Sequence, residues 1–291
     1  MSRYINYEKR GDASIMKSTD CSLMECFVRA YHNETSAINV IRSEKSRAML
    51  TNEEYSRIAE SIAPDCDRNS LRHAVYQTYA PRILAADAFN EDAALTAFTL
   101  GCKQYISLAP GLDSFAVRYM SPFQSVRLFE LDTPENIDNK KKRLTRAGID
   151  SSLINFVECD SDFNSVCEAL GDTPFEKTKP VFFSLIGLTH RLNRKQIYSV
   201  FEQIALLSCE GSSLLFDYIT PDFDSVNTED EAAFSQNEIK HILSSLGYRI
   251  YEHSDGVQTG RRFFSLFNRF NPDCPLILKK QCCFCLAVKK C

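Results

Sequence analysis

A chain of 291 residues that is 44% apolar has enough nonpolar material for a substantial core, which excludes an intrinsically disordered polymer. Its 34 basic and 38 acidic residues leave a formal charge of −4, so no broad basic surface argues for nucleic acid or an anionic membrane, and a small or locally recognised substrate fits better. The 12 cysteines are spread through segments that read as regular elements, which suits reduced thiols rather than a disulfide framework.

The opening run Ser2-Arg3-Tyr4-Ile5-Asn6-Tyr7-Glu8-Lys9-Arg10 is polar and no apolar stretch of signal-peptide type follows, so the expected location is the cytoplasm. From residue 18 to residue 88 the pattern is helical. Leu23, Phe27 and Tyr31 recur at four-residue spacing, as do Tyr55, Ile58, Ala59 and Ile62 before Pro64. This predicts a strand-free helical cover over residues 1–88, within the same domain as a core over 89–291.

Beyond the cover, short apolar runs alternate with amphipathic helices. A helix over 91–101 precedes a strand over 105–108 that ends at Pro110-Gly111. A second strand over 126–132 leads into a helix that starts at Pro134 and carries Ile137, Lys140, Lys141 and Leu144 toward Gly148. A third strand is expected over 154–159. The fourth, over 181–186, is almost continuously apolar, as a central strand covered on both faces should be.

A helix over 193–208 carries Ile197, Val200, Phe201, Ile204 and Leu207 on one stripe, and a fifth strand over 213–218 follows Gly211. A last helix is expected over 231–246. Strand-like residues 248–251 and the tail 282–288, with no long helix read between them, imply an antiparallel pair. The alternation of strands and helices defines an open α/β sheet with right-handed crossovers.

In such sheets ligands bind beyond the carboxyl ends of the strands, where strand order reverses. Gly111, after the first strand, allows a close backbone approach. Asp132, after the second, is placed to accept hydrogen bonds from ribose hydroxyls. Their separation of about twenty residues matches a nucleotide-binding βαβ half, without saying which nucleotide.

At this point the chain resembles the leucine carboxyl methyltransferase family. The likeness is carried by Gly111-Leu112-Asp113-Ser114-Phe115-Ala116-Val117-Arg118, by Phe129-Glu130-Leu131-Asp132-Thr133-Pro134 followed by Lys140, and by Asn155-Phe156-Val157-Glu158-Cys159-Asp160. Phe183-Ser184-Leu185-Ile186-Gly187-Leu188-Thr189 and Gly211-Ser212-Ser213-Leu214-Leu215-Phe216-Asp217-Tyr218 extend it, in order, over roughly residues 82–222. The resemblance implies a Rossmann-like class I methyltransferase with a mostly parallel seven-stranded sheet, an antiparallel C-terminal strand pair and an N-terminal helical cover. It also implies S-adenosylmethionine as cofactor. Carried over by residue, it places Ala109, Gly111 and Asp113 along the cofactor, Asp132 on the ribose, Asp160 and Ser161 at the adenine, and Arg82 on the cofactor carboxylate, a task suited to a guanidinium fork.

Three departures from the family pattern stand out. Ala109 replaces the first glycine of the first turn, and Pro110 removes a backbone N–H there. Ile186 stands where eukaryotic members carry a glutamate, and Asp162 where they carry an arginine thought to receive the substrate carboxylate. The family's tyrosine beyond the fourth strand is replaced within Thr189-His190-Arg191-Leu192. These exchanges argue against a protein-phosphatase tail as substrate, and leave His190 as a candidate general base and Arg191 as a candidate partner for an anionic substrate group.

Methyl transfer from a sulfonium is a direct displacement that needs alignment more than acid–base chemistry. With no secure base, a carboxylate or an acidic hydroxyl of a small molecule or peptide is the better acceptor. Substrate contacts are expected from the cover around residues 24–31 and 55–62 and from the stretch 220–231. Two other readings remain open: a catalytically weakened scaffold, suggested by Ala109, Pro110 and Asp162, and a metal module built on Cys274, Cys282, Cys283, Cys285 and Cys291. The latter lacks paired C-x-x-C hooks, so buried core thiols and no metal are expected.

Overall fold

A computed structural model describes residues 18–64, 67–221 and 233–290. The opening polar run, Cys291 of the cysteine-rich tail and most of the expected substrate-contacting stretch 220–231 lie outside the described residues.

The cover consists of α1 (Ser18–Thr35), α2 (Glu44–Met49), α3 (Asn52–Ile62) and α4 (Arg68–Ala74). It then passes through a π-helical turn, Val75–Tyr79, into α5 (Ala80–Thr99). Pro81 explains the turn. Its ring crowds the carbonyl four residues back and it donates no hydrogen bond, so the ladder widens, and the Ala80 N–H reaches back to the Val75 carbonyl. The helix expected to begin at residue 91 therefore begins at Ala80, because Pro81 sits where helices accept it, in the first turn. One continuous helix crosses residue 88, the boundary expected between cover and core.

The core follows as β1 (Gln104–Leu108), α6 (Phe115–Tyr119), β2 (Arg127–Asp132), α7 (Pro134–Arg146), β3 (Ile154–Glu158), α8 (Val166–Ala169), β4 (Phe182–Leu185), α9 (Arg194–Leu207), β5 (Ser213–Ile219), α10 (Gln236–Ser245), β6 (Tyr248–Ser254), α11 (Gly256–Phe270) and β7 (Cys282–Lys289). The strands form one seven-stranded sheet in the order β3-β2-β1-β4-β5-β7-β6. The first five run parallel, with Ile106 opposite Phe129 and Phe183 on either side. Strand direction alternates side chains between faces: Tyr105 and Phe182 join the core beneath the cover, while Ile106 and Phe183 join the core on the opposite face. Near-continuous apolar runs in β1 and β4 are the consequence of that double burial.

The end of the sheet corrects one expectation. A fifteen-residue helix, α11, separates β6 from β7, and β7 inserts between β5 and β6, antiparallel to both. Gly256 and Gly260, poor helix formers, fall within its first two turns and weaken its local signal. Its start is nevertheless encoded: Asp255 and Gln258 form a reciprocal capping box. Gly256 is required because a Cβ there would lie 1.8 Å from the Lys279 carbonyl oxygen. Likewise α10 starts at Gln236, five residues later than expected from 231, where Ser235 and Glu238 cap it.

Candidate active site

The chain winds outward from β1 through β2 to β3, then returns to place β4 on the other side of β1, so strand order reverses between β1 and β4. The loop after β1 is shaped by two left-handed residues, Ala109 at φ 53° and Gly111 at φ 52°. Its tip meets the acid at the end of β2 directly: the Gly111 N–H donates to Asp132 Oδ2 at 3.0 Å. Asp132 Oδ1 accepts from the Thr133 N–H at 2.8 Å and from Asn136 Nδ2 at 2.7 Å. Gly111 and Asp132 thus meet directly where the β1 loop crosses the end of β2, and Oδ2 keeps one lone pair beyond the Gly111 bond. The loop also carries Asp113, whose Oδ1 accepts from the Phe115 N–H at 3.1 Å.

The close neighbour that glycine admits at residue 111 is the cover itself. A Cβ on Gly111 would lie 2.4 Å from Ser22 Oγ and 3.1 Å from Ser22 Cβ, so α1 rests on the loop. Beneath the loop, the Lys140 ammonium lies 2.7 Å from Glu130 Oε2, both groups almost fully buried, and ties α7 to β2 just before Asp132.

Asp160 and Ser161 lie at an exposed turn after β3, next to the end of β2, where the Cys159 N–H donates to the Asp132 carbonyl oxygen at 2.9 Å. Asp160 Oδ1 accepts from the Asn164 N–H at 3.0 Å and Oδ2 from Ser165 Oγ at 2.8 Å, so the acid also organises its own loop. Asp162, next along, accepts from Gln196 of α9.

Arg82, His190 and Arg191 come together beyond β4. Arg82 Nη2 lies 2.8 Å from His190 Nε2, and Arg82 Nη1 lies 3.9 Å from Asp217 Oδ2 at the end of β5. A guanidinium has only donors, so Nε2 must accept and the imidazole proton sits on Nδ1. Desolvation by the packed surroundings, followed by the Arg82 and Arg191 charges, holds the His190 pKa well below the ordinary imidazole value. The outer edge of His190 reaches solvent, yet two adjacent cations act in the same direction as desolvation. In this arrangement the Nε2 lone pair that a general base would use is engaged by Arg82. Arg191 Nη2 donates to Glu25 Oε1 of α1 at 2.8 Å, which fixes the position of its guanidinium beyond β4.

Glu25 belongs to a set of residues that periodicity did not reveal. Ser22, Glu25 and Arg29 follow one another along one side of α1, where Ser22 meets the β1 loop, Glu25 meets Arg191 beyond β4 and Arg29 meets Asp87 of α5. Arg29 is 5% exposed and binds Asp87 of α5 in a fork, Nε to Oδ2 at 2.6 Å and Nη2 to Oδ1 at 3.1 Å. Glu25 is held below the usual carboxylate range because Arg191, Arg29 and Arg82 outweigh the cost of its desolvation. The only signal in the sequence was polar side chains within an otherwise apolar helix, which alone reads as a solvated face.

Among the described residues no group of three His, Cys, Asp or Glu side chains is arranged to hold a metal, and no helix is long and apolar enough to cross a membrane. The tail thiols Cys283 and Cys285 are buried in the β7 core, and burial raises their pKa.

A seven-stranded, mostly parallel sheet with one antiparallel strand inserted beside its edge, reversing order at β1/β4 and carrying a glycine loop against an acid, is the class I methyltransferase fold. Residues 22–205 match the family model described as leucine carboxyl methyltransferase, and the chain belongs to that family. It is 28% identical over 285 residues to the Bacillus subtilis protein named "Putative S-adenosyl-L-methionine-dependent methyltransferase YktD", covering 86% of this chain and 92% of that one. A Mycobacterium marinum protein, named in the same terms but without "YktD", is 30% identical over 189 residues, covering 64% of this chain and 60% of that one. Among solved structures, an O-methyltransferase family protein from Burkholderia thailandensis superposes with a TM-score of 0.49 at 14% identity, covering 92% of this chain and 71% of that one.

S-adenosylmethionine, the methyl donor of this class, carries a carboxylate, an ammonium and a sulfonium. The residues present fit it: the site offers a buried arginine, two partly exposed arginines and buried acids together, and Arg29 Nη1 is a buried donor with no hydrogen-bond partner among the described residues.

Proposed function

We propose that this methyltransferase passes the methyl group of S-adenosylmethionine to an oxygen of a small-molecule or peptide acceptor, and that this oxygen belongs to a carboxylate or an acidic hydroxyl. One observation carries the reading. The imidazole beyond β4, that of His190, has its Nε2 lone pair engaged by Arg82 at 2.8 Å, so a neutral alcohol would meet no free base there. A carboxylate is nucleophilic at neutral pH without one.

In this reading Gly111, Ala109 and Asp113 line the donor, Asp132 receives the ribose through its remaining Oδ2 lone pair, and Asp160 with Ser161 faces the adenine. Arg82 supplies positive charge toward the donor carboxylate while holding His190 neutral. S-adenosylmethionine, when bound, supplies an electrophilic methyl carbon on its sulfonium. The chain's own contribution is to orient the acceptor oxygen and exclude water: α1 closes over the β1 loop, and Arg191, steadied by Glu25, draws an anionic group toward the strand ends.

The test is methyl transfer from labelled S-adenosylmethionine to a panel of carboxylic acids, phenols and aliphatic alcohols, followed by the pH profile of kcat/KM. The expected outcome is turnover of acids or acidic phenols with a rate flat through neutral pH. Turnover of an aliphatic alcohol that His190→Ala abolishes would contradict it.

A further inference from the structure

The inward stripe of α1 contains a buried cation whose hydrogen bonds are incomplete. Arg29 is 5% exposed, and two of its three nitrogens are satisfied by Asp87. The third, Nη1, is buried without a partner among the described residues. A buried, unpaired guanidinium N–H costs stability that a merely structural ion pair would not need to forgo. Its position makes the unpaired N–H informative: Ser22, two turns earlier on the same helix, rests on Gly111, and Glu25, one turn earlier, lies 3.9 Å from Arg29 Nη2. Asp113 of the β1 loop is close enough to act electrostatically on both Arg29 and Asp87.

We infer that Arg29 is a ligand-binding residue whose Nη1 donates to the carboxylate of the bound methyl donor, so that α1 docks over the β1 loop as a wall completed by the donor itself. This rests on the S-adenosylmethionine reading above. A guanidinium already aligned by Asp87 presents its remaining N–H at little further entropic cost, which makes a carboxylate oxygen the matching partner. The donor's α-ammonium is matched by Asp113 of the β1 loop, while Asp87 is occupied in aligning Arg29. Arg82, whose Nη2 is committed to His190, then contributes charge at longer range rather than the principal contact.

Calorimetric titration of the full chain with two probes tests this: S-adenosylhomocysteine, which has the amino-acid carboxylate, and 5′-methylthioadenosine, which lacks the amino-acid portion. The variants are Arg29→Lys and the neutral pair Arg29→Gln with Asp87→Asn, which leaves no buried charge unpaired, and unfolding midpoints establish that each is folded. The expected result is a loss of S-adenosylhomocysteine affinity on the order of tenfold or more in the neutral pair, a partial loss in Arg29→Lys, and unchanged 5′-methylthioadenosine affinity in both. Unchanged S-adenosylhomocysteine affinity in folded variants, or equal loss for both probes, overturns the assignment of Arg29 while leaving the cofactor reading intact. If the unaltered chain binds neither probe, the cofactor reading falls and Arg29 with it.

Discussion

Replacing Gly111 by alanine probes the contact on which the closed site depends. Two penalties arise separately. The left-handed backbone at φ 52° costs an L-residue roughly 1–2 kcal/mol. The new methyl group would also lie 2.4 Å from Ser22 Oγ and 3.1 Å from Ser22 Cβ, an overpacking worth roughly 1–3 kcal/mol. Gly111→Ala should therefore destabilise the protein by about 2–5 kcal/mol, read from urea unfolding followed by circular dichroism. Ser22→Ala removes the nearer atom and leaves the farther one within reach of a small adjustment. A double-mutant cycle should return about 1 kcal/mol or more of favourable coupling, with the backbone penalty retained in the double variant. Additive effects, or a Gly111→Ala loss below roughly 0.5 kcal/mol, would show that α1 does not rest on this loop.

The neighbouring residue behaves oppositely: Ala109 already sits at φ 53°, so Ala109→Gly should stabilise by about 0.5–1 kcal/mol after the entropy of the added glycine is subtracted, with destabilisation in the same unfolding assay refuting it. His32 is buried, accepts from the Val40 N–H at 2.9 Å, and is pushed down to about 4 by desolvation. Because the unfolded chain binds the proton first, stability should fall as pH drops from about 6.5 toward 4, by up to about 1.4 kcal/mol per unit, and His32→Gln should flatten that part of the profile. An unaltered slope would remove His32 as its source. Arg82→Ala frees His190 Nε2, so the His190 pKa, followed by NMR, should rise toward the ordinary imidazole value, and an unmoved titration would show that Arg82 does not set it.

The alternation of strand and helix was legible because double burial leaves its mark on composition: Tyr105 through Leu108 and Phe182 through Leu185 are wholly buried, and no half-exposed sheet would tolerate such runs. Helix starts were legible where a cap and a proline coincide, as at Thr133 and Pro134. The helix α11 was not, because Gly256 answers to a carbonyl brought near by tertiary structure rather than to any local preference. The pairing of Gly111 with Asp132 followed from their spacing along a βαβ unit, and the structure joins them through one hydrogen bond. Glu25, Arg29 and Asp87 were invisible as site residues for a different reason. On a helix a polar side chain is informative only once its face is known to be buried, and that depends on how the cover docks. His190 illustrates the converse: sequence identified a residue type able to act as a base, while its protonation state is set first by desolvation in the packed structure and then by the charge of an arginine 108 positions away and of Arg191.

The most direct measurement is calorimetric titration of S-adenosylhomocysteine into the unaltered chain and into Asp132→Ala. Saturable one-to-one binding that weakens about tenfold or more in Asp132→Ala is the predicted result, since a charge-assisted ribose contact is lost. No binding to the unaltered chain, or identical affinity in the folded variant, would contradict a donor site between the β1 loop and the end of β2.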